Sequence, residues 1–164
     1  MNMTVSSHFV HLHLHSEFSL ADGIVRIKPL AEKCAADGQP AVAITDLSNL
    51  YAVVKFYKAC LSAGIKPIIG CDVWVENPVI REQYDRLTLL CRDNVGYRNL
   101  CKLLTGGYLR GSVNNRIVIH FDELAGHHHG LICFLDEIEG PLAREGSDPG
   151  GRADSATCDG NPGR

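Results

Sequence analysis

No apolar run in this chain approaches the roughly 18 residues that a membrane span requires. Charge of one sign is also missing. Sixteen Lys and Arg stand against nineteen Asp and Glu, and the formal net charge is -3. Nothing in these totals announces a nucleic-acid groove. There is no P-loop, no G-x-G-x-x-G and no G-x-S-x-G elbow, so the common phosphate cradle, dinucleotide fingerprint and serine-hydrolase turn are excluded. Met1–Ser7 lacks the charged start and apolar centre of a signal peptide. The seven cysteines are odd in number and form no C-x-x-C pair. They read as small hydrophobes of a reducing cytoplasm, neither a disulfide frame nor a zinc ribbon.

The chain has 164 residues, of which 45% are hydrophobic, enough for one domain with a core. Strand-like segments are expected at Phe9–Leu14, Ala41–Thr45, Pro67–Val75, Leu87–Cys91 and Leu131–Leu135. Helical spacing falls at Ile27–Asp37, with Gly38 as a stop, and at Leu50–Ala63, closed by Gly64. In the second of these the apolar stripe is Val53, Val54, Tyr57, Cys60 and Leu61. A third helix is expected at Tyr97–Thr105, ended by Gly106-Gly107. This alternation predicts an α/β layer or barrel of parallel strands and crossover helices. From Gly140 to Arg164 there are six Gly and three Pro, with Leu142 the only large aliphatic. Such a segment buries too little apolar surface to offset its ordering entropy, so a disordered tail is expected at 140–164. A short flexible N-terminus is expected at 1–8, and the domain lies between, at 9–139.

What is present in abundance is histidine at one place: His11-Leu12-His13-Leu14-His15. On a strand, alternate residues share a face, so the three imidazoles point one way. Imidazole is the commonest protein metal ligand. In parallel α/β architectures the chemistry gathers at strand carboxyl ends and the loops after them. His13 and His15, with Asp22 in the following loop, are placed to reach one divalent ion. Asp46, after the second strand, either ligates, orients a histidine, or caps the next helix. Asp72 is a carboxylate in an apolar run, where an unpaired charge is costly, so a metal or a histidine is expected beside it. His127-His128-His129 precede a strand and read as a solvated turn.

Phe9–Gly23, Pro40–Asp46, Val54–Ala59, Gly64–Gly70, Leu87–Leu90 and Gly96–Leu100 together resemble the PHP (polymerase and histidinol phosphatase) domain of bacterial replicative DNA polymerase alpha subunits (DNA polymerase III). The resemblance spans residues 9 to about 138. It implies a PHP-type distorted (β/α)7 barrel, incomplete here at about five β/α units. It also implies a phosphoester-related metal site, in which His13, His15 and Asp22 match the first ligand motifs and Asp72 stands in place of a Glu. Two positions depart from complete sites: Leu47 replaces a histidine of the T-D-H-G pattern, and Arg86 stands where another histidine is often found. Leucine cannot ligate, and arginine is a permanent cation. The family's later ligands would lie beyond residue 140. The expectation is therefore one weakly held Zn, Mn or Mg ion, or none, in a mainly structural domain. Its partners would be the remaining polymerase domains and a proofreading exonuclease, with DNA reached only through the parent protein and no membrane involved. Alternative readings are a metal-dependent phosphoesterase in its own right and a docking module for the exonuclease.

Overall fold

Residues 9–135, except 21 and 81, are described by the computed structural model of the chain. The flexible stretch expected at 1–8 and the tail expected at 140–164 lie outside them. In chain order the elements are α1 (Ile27–Ala36), β1 (Ala41–Ile44), α2 (Val53–Ala63), β2 (Lys66–Glu76), β3 (Tyr84–Cys91), α3 (Asn94–Arg110), β4 (Val118–Ile119), α4 (Phe121–Gly126) and β5 (Leu131–Leu135). No helix among them is long and apolar enough to cross a membrane.

The mixed α/β architecture is present, built on a partial sheet ordered β1-β2-β3-β5 with β4 beside β2. Its strands are not all parallel, as the alternation had suggested. β1 and β4 run parallel to β2, but β2–β3 and β3–β5 are antiparallel. The reason is the connection 77–83, which is too short for a crossover. Asn77 closes it as a hairpin: its Oδ1 accepts from the amides of Val79 and Ile80, both at 2.9 Å. The first expected strand is also modified. Residues 11–14 are extended but belong to no named strand. They lie along β1 through two backbone bonds, Ala43 N to His11 O and Thr45 N to Leu14 O.

Two apolar clusters hold the layers together. The first joins Ile27, Ala31 and Cys34 of α1 and Phe56 and Cys60 of α2 to Val42 and Ile44 of β1. The second packs Leu100, Leu103 and Leu104 of α3 on Cys71, Val73 and Val75 of β2 and on Leu87 and Leu89 of β3. Each fully buried Phe, Ile or Leu in them contributes about 1.5–3 kcal/mol. Cys34, Cys60 and Cys71 are buried as expected, whereas Cys91 and Cys101 are half-buried and Cys133 is exposed.

Two helix expectations change. α2 buries Phe56 and Cys60, and leaves Val54, Tyr57 and Leu61 in solvent. The apolar residues of this helix span one wide arc, and the packing of α1 and β1 covers the part carrying Phe56. α3 does not stop at Gly106-Gly107 but runs through to Arg110. Gly107 is buried inside it because a Cβ there would meet Ile117 Cγ2 at 2.8 Å and Val118 O at 3.2 Å. The missing side chain lets β4 approach the helix, and that contact outweighs the roughly 1 kcal/mol helix cost of glycine.

Candidate functional site

The extended segment beside β1 sets the site. Its two-residue period turns His13 and His15 to one side, and both Nε2 atoms lie 2.7 Å from Asp72 Oδ2. His11 does not join them. It is exposed, with its ring edge-on to Phe9 at 4.6 Å. Asp72 lies in the middle of β2, with its side chain 1% exposed. On β3 its cross-strand partner is Thr88, whose hydroxyl donates to Asp72 Oδ1 at 2.6 Å.

Arg86, two residues from Thr88 along β3, completes the cluster. It donates to Asp72 Oδ2 from Nη2 at 2.9 Å and from Nε at 3.2 Å. The same Nη2 lies 3.1 Å from His15 Nε2 and 3.5 Å from Asp22 Oδ2. Asp22 reaches His15 Nδ1 at 2.9 Å, and its other oxygen accepts from the Ser19 hydroxyl at 2.7 Å. His15 therefore has a carboxylate at each ring nitrogen. When neutral, its Nδ1–H donates to Asp22 and its Nε2 lone pair accepts from Arg86; when protonated, Nε2–H donates to Asp72.

Asp46 is near but serves differently. It is 2% exposed and accepts from Ser16 N at 2.6 Å and from Ser16 Oγ at 2.8 Å. It is not in the group that converges with His13, and it does not cap α2, whose N-cap is Ala52. It ties down the turn just after His15. Leu47 extends the same fastening: its amide donates to Ser19 Oγ at 3.0 Å.

Ionisation follows from these contacts. Burial alone would push the Asp72 carboxyl up, but hydrogen bonds from His15, Thr88 and His13 outweigh it and hold the carboxyl down at about 2. Burial pulls His15 down, and Asp72, by hydrogen bond and charge, with Asp22, more than reverses it, leaving the imidazole above its ordinary 6.5. Asp46 goes the other way, raised by burial despite its two bonds from Ser16.

Whether these residues fit a divalent ion divides into spacing and charge. The spacing fits: His13, His15 and Asp72 offer ligand atoms within 4.8 Å of one another. The charge does not. The Arg86 guanidinium already donates to Asp72, faces His15 and Asp22, and cannot be deprotonated. A divalent ion among the same oxygens would meet about 8 kcal/mol of repulsion from it at 4 Å in a partly buried setting. Three of the five expected ligands, His13, His15 and Asp72, thus come together with a fixed positive charge beside them, while Asp22 and Asp46 are not in the converging group.

Arg86 was legible in the sequence only as a misfit at a ligand position. Its donor role, and that of Thr88, needed the β2–β3 register, which places both opposite Asp72 and Trp74. Ser16 and Ser19 carried no sequence signal beyond a polar loop. The three histidines at 127–129 lie between α4 and β5, outside the cluster, where the His127 amide closes the end of α4. His120 was not singled out in the sequence. Its Nδ1 lies 2.5 Å from Glu76 Oε2.

A histidine pair thus converges on a buried aspartate of β2 in a mixed α/β sheet. The chain belongs to the PHP domain family, which matches it over residues 11–156. It is similar to DNA polymerase III subunit alpha of Pseudomonas aeruginosa, 48% identical over 140 residues covering 85% of this chain and 12% of that protein. The same subunit of Escherichia coli K12 is 44% identical over 136 residues, covering 83% of this chain and 12% of that protein. The chain thus spans only about 12% of the length of these curated relatives. Among solved structures, one described as a metal-dependent phosphoesterase from Bifidobacterium adolescentis covers 63% of this chain and 35% of its own, with TM-score 0.47 and 17% identity.

Proposed function

We propose that this chain is the N-terminal PHP portion of a replicative DNA polymerase alpha subunit, and that its polar cluster is a structural node, not a hydrolytic centre. The observation that carries this reading is the Arg86 guanidinium lodged between Asp72, His15 and Asp22. Arginine supplies there the positive charge that an ion would supply in a complete site. It ties β2, β3 and the His13–Asp22 segment together without depending on metal supply. In the parent, nucleotide polymerisation belongs to domains outside this chain. The remaining polymerase domains and a proofreading exonuclease are the partners this portion would support, DNA is met only through the parent, and the setting is cytoplasmic.

The test compares metal content and thermal stability in the wild-type chain and in Arg86→His. The wild-type chain, dialysed against Mn or Zn and then desalted, is expected to retain no stoichiometric ion, and its melting midpoint is expected to ignore chelator. Arg86→His removes the fixed charge and adds a ligand, so its midpoint should rise on adding metal. One ion per wild-type chain, lost in a His13→Ala/His15→Ala double variant, would overturn the reading. That result would favour the phosphoesterase alternative, which the 4.8 Å convergence of three ligand atoms supports, and hydrolysis of a nitrophenyl phosphate ester would then be the decisive assay.

A further inference from the structure

Helix α2 is apolar over far more of its circumference than it buries. At about 100° per residue, its apolar positions, counted from Ala52, sweep roughly 220° of the helix. Only Lys55, Lys58 and Ser62 are polar. A helix with so wide an apolar arc is covered on more than one side. Here the Phe56 side is covered by α1 and β1, and among the described residues the opposite side is bare: Val54 is 67% exposed, Tyr57 50% and Leu61 56%. Tyr51, two residues before the helix, is 64% exposed. It also lines an apolar groove of about 360 Å³ with Leu50, Leu104, Tyr108 and Leu109. Leu109, on the α3 side of that groove, is 83% exposed.

The two helices themselves carry charge of one sign, though Glu17, Glu32 and Glu123 of neighbouring segments lie close by. α2 and α3 together carry Lys55, Lys58, Arg98, Lys102 and Arg110 and not one carboxylate. Lys55 pairs with Glu17, and Arg110 with Glu123. Lys58, Arg98 and Lys102 form no ion pair among the described residues.

We propose that the α2–α3 face docks an acidic amphipathic helix of a partner protein. Exposed aliphatic and tyrosine side chains at helical spacing beside a groove are what the apolar stripe of a second helix fills. Unpaired lysines and arginines at the rim set the partner's charge and orientation. A second copy of the chain would bring cations against cations, which disfavours self-association. Single-stranded nucleic acid would suit the tyrosines, but Val54, Leu61 and Leu109 offer no ring for a base to stack on. The proposal does not use the Arg86 cluster, so either reading can fail alone.

The test is fluorescence anisotropy of the full 164-residue chain with a labelled synthetic helix bearing Leu at i, i+3, i+4 and i+7 and Glu elsewhere. The control peptide carries Lys in place of Glu. The acidic peptide is expected to bind, more weakly as salt rises, and the basic one not to bind. Tyr57→Ser/Leu61→Ser should lower affinity by about tenfold or more, and Lys58→Glu/Lys102→Glu should abolish the preference between peptides. These positions lie at the surface, so circular dichroism should be unchanged in the variants. Equal binding of both peptides, or none, would overturn the proposal. So would binding of a thymidine oligonucleotide lost in the same variants, which assigns the face to nucleic acid. A sedimenting dimer dispersed by Leu61→Glu would assign it to a second copy. Solvent protection of Tyr57 in the monomeric chain would assign it to this chain's own residues outside 9–135.

Discussion

Replacing Arg86 with methionine keeps the length of the side-chain stem and removes every donor. Asp72 is then left with its carboxylate 1% exposed and without its permanent counter-charge. Breaking a buried pair from one side costs about 3–5 kcal/mol. Here His13, His15 and Thr88 still bond the carboxylate, so the low end applies, about 3 kcal/mol. In a chain of this length that lowers the melting midpoint by about 10 °C. The loss also depends on pH. His15 titrates above its ordinary 6.5 in the folded state, so the stability it adds is fully present below 6.5 and disappears as pH rises through the folded value. A protonated His15 partly replaces the missing guanidinium, so the deficit of Arg86→Met should be smaller at pH 6 than at pH 8. Circular dichroism melts and urea titrations at both pH values measure it. A double-mutant cycle with Asp72→Asn isolates the pair, and the double variant should lose less than the sum of the single losses by about 1 kcal/mol or more. A loss below about 0.5 kcal/mol at both pH values, of the size of an ordinary surface substitution, would refute the assignment of Arg86 as the counter-charge of the cluster.

Acid titration should expose Asp72 as well. Its folded carboxyl is held at about 2 against an ordinary 3.8, so its contribution is complete above 3.8 and is lost as pH falls toward 2. The size is about 2 kcal/mol at 1.36 kcal/mol per unit, and Asp72→Asn should flatten that limb of the stability profile. Asp46→Ala should cost about 2 kcal/mol by leaving the buried Ser16 amide without an acceptor, and amide exchange at residues 16–19 should quicken with it. Gly96→Ala should destabilise by about 1–3 kcal/mol, because its Cβ would lie 1.9 Å from Gly130 O where α3 meets the start of β5; a neutral urea midpoint would show that this contact yields without strain.

The parts of the site legible in the sequence were those set by local periodicity. His13 and His15 share a face because neighbours in an extended chain alternate, and no tertiary partner is needed to know it. Asp72 was marked because a carboxylate in an apolar run needs a partner wherever the run folds. His11 follows the same period and was expected beside them, yet it stands at the exposed end next to Phe9, since β2 offers its carboxylate only at the level of His13 and His15. Asp46 was left between ligand, orienting group and cap. Only the fold puts the Ser16 amide and hydroxyl against it.

The sequence by itself determined the α/β order, the Gly64 stop of α2, the His-x-His face and the carboxylate that meets it. Each of these rests on residues close along the chain. Tertiary structure alone decided that β3 turns back antiparallel on β2, and so that Arg86 and Thr88 rise beside Asp72 in place of a further imidazole. It also decided which part of the wide apolar arc of α2 is buried, leaving Val54, Tyr57 and Leu61 outside. Strand register and the choice of a buried face arise from pairing between segments far apart in sequence, and local spacing carries no record of the partner that selects them.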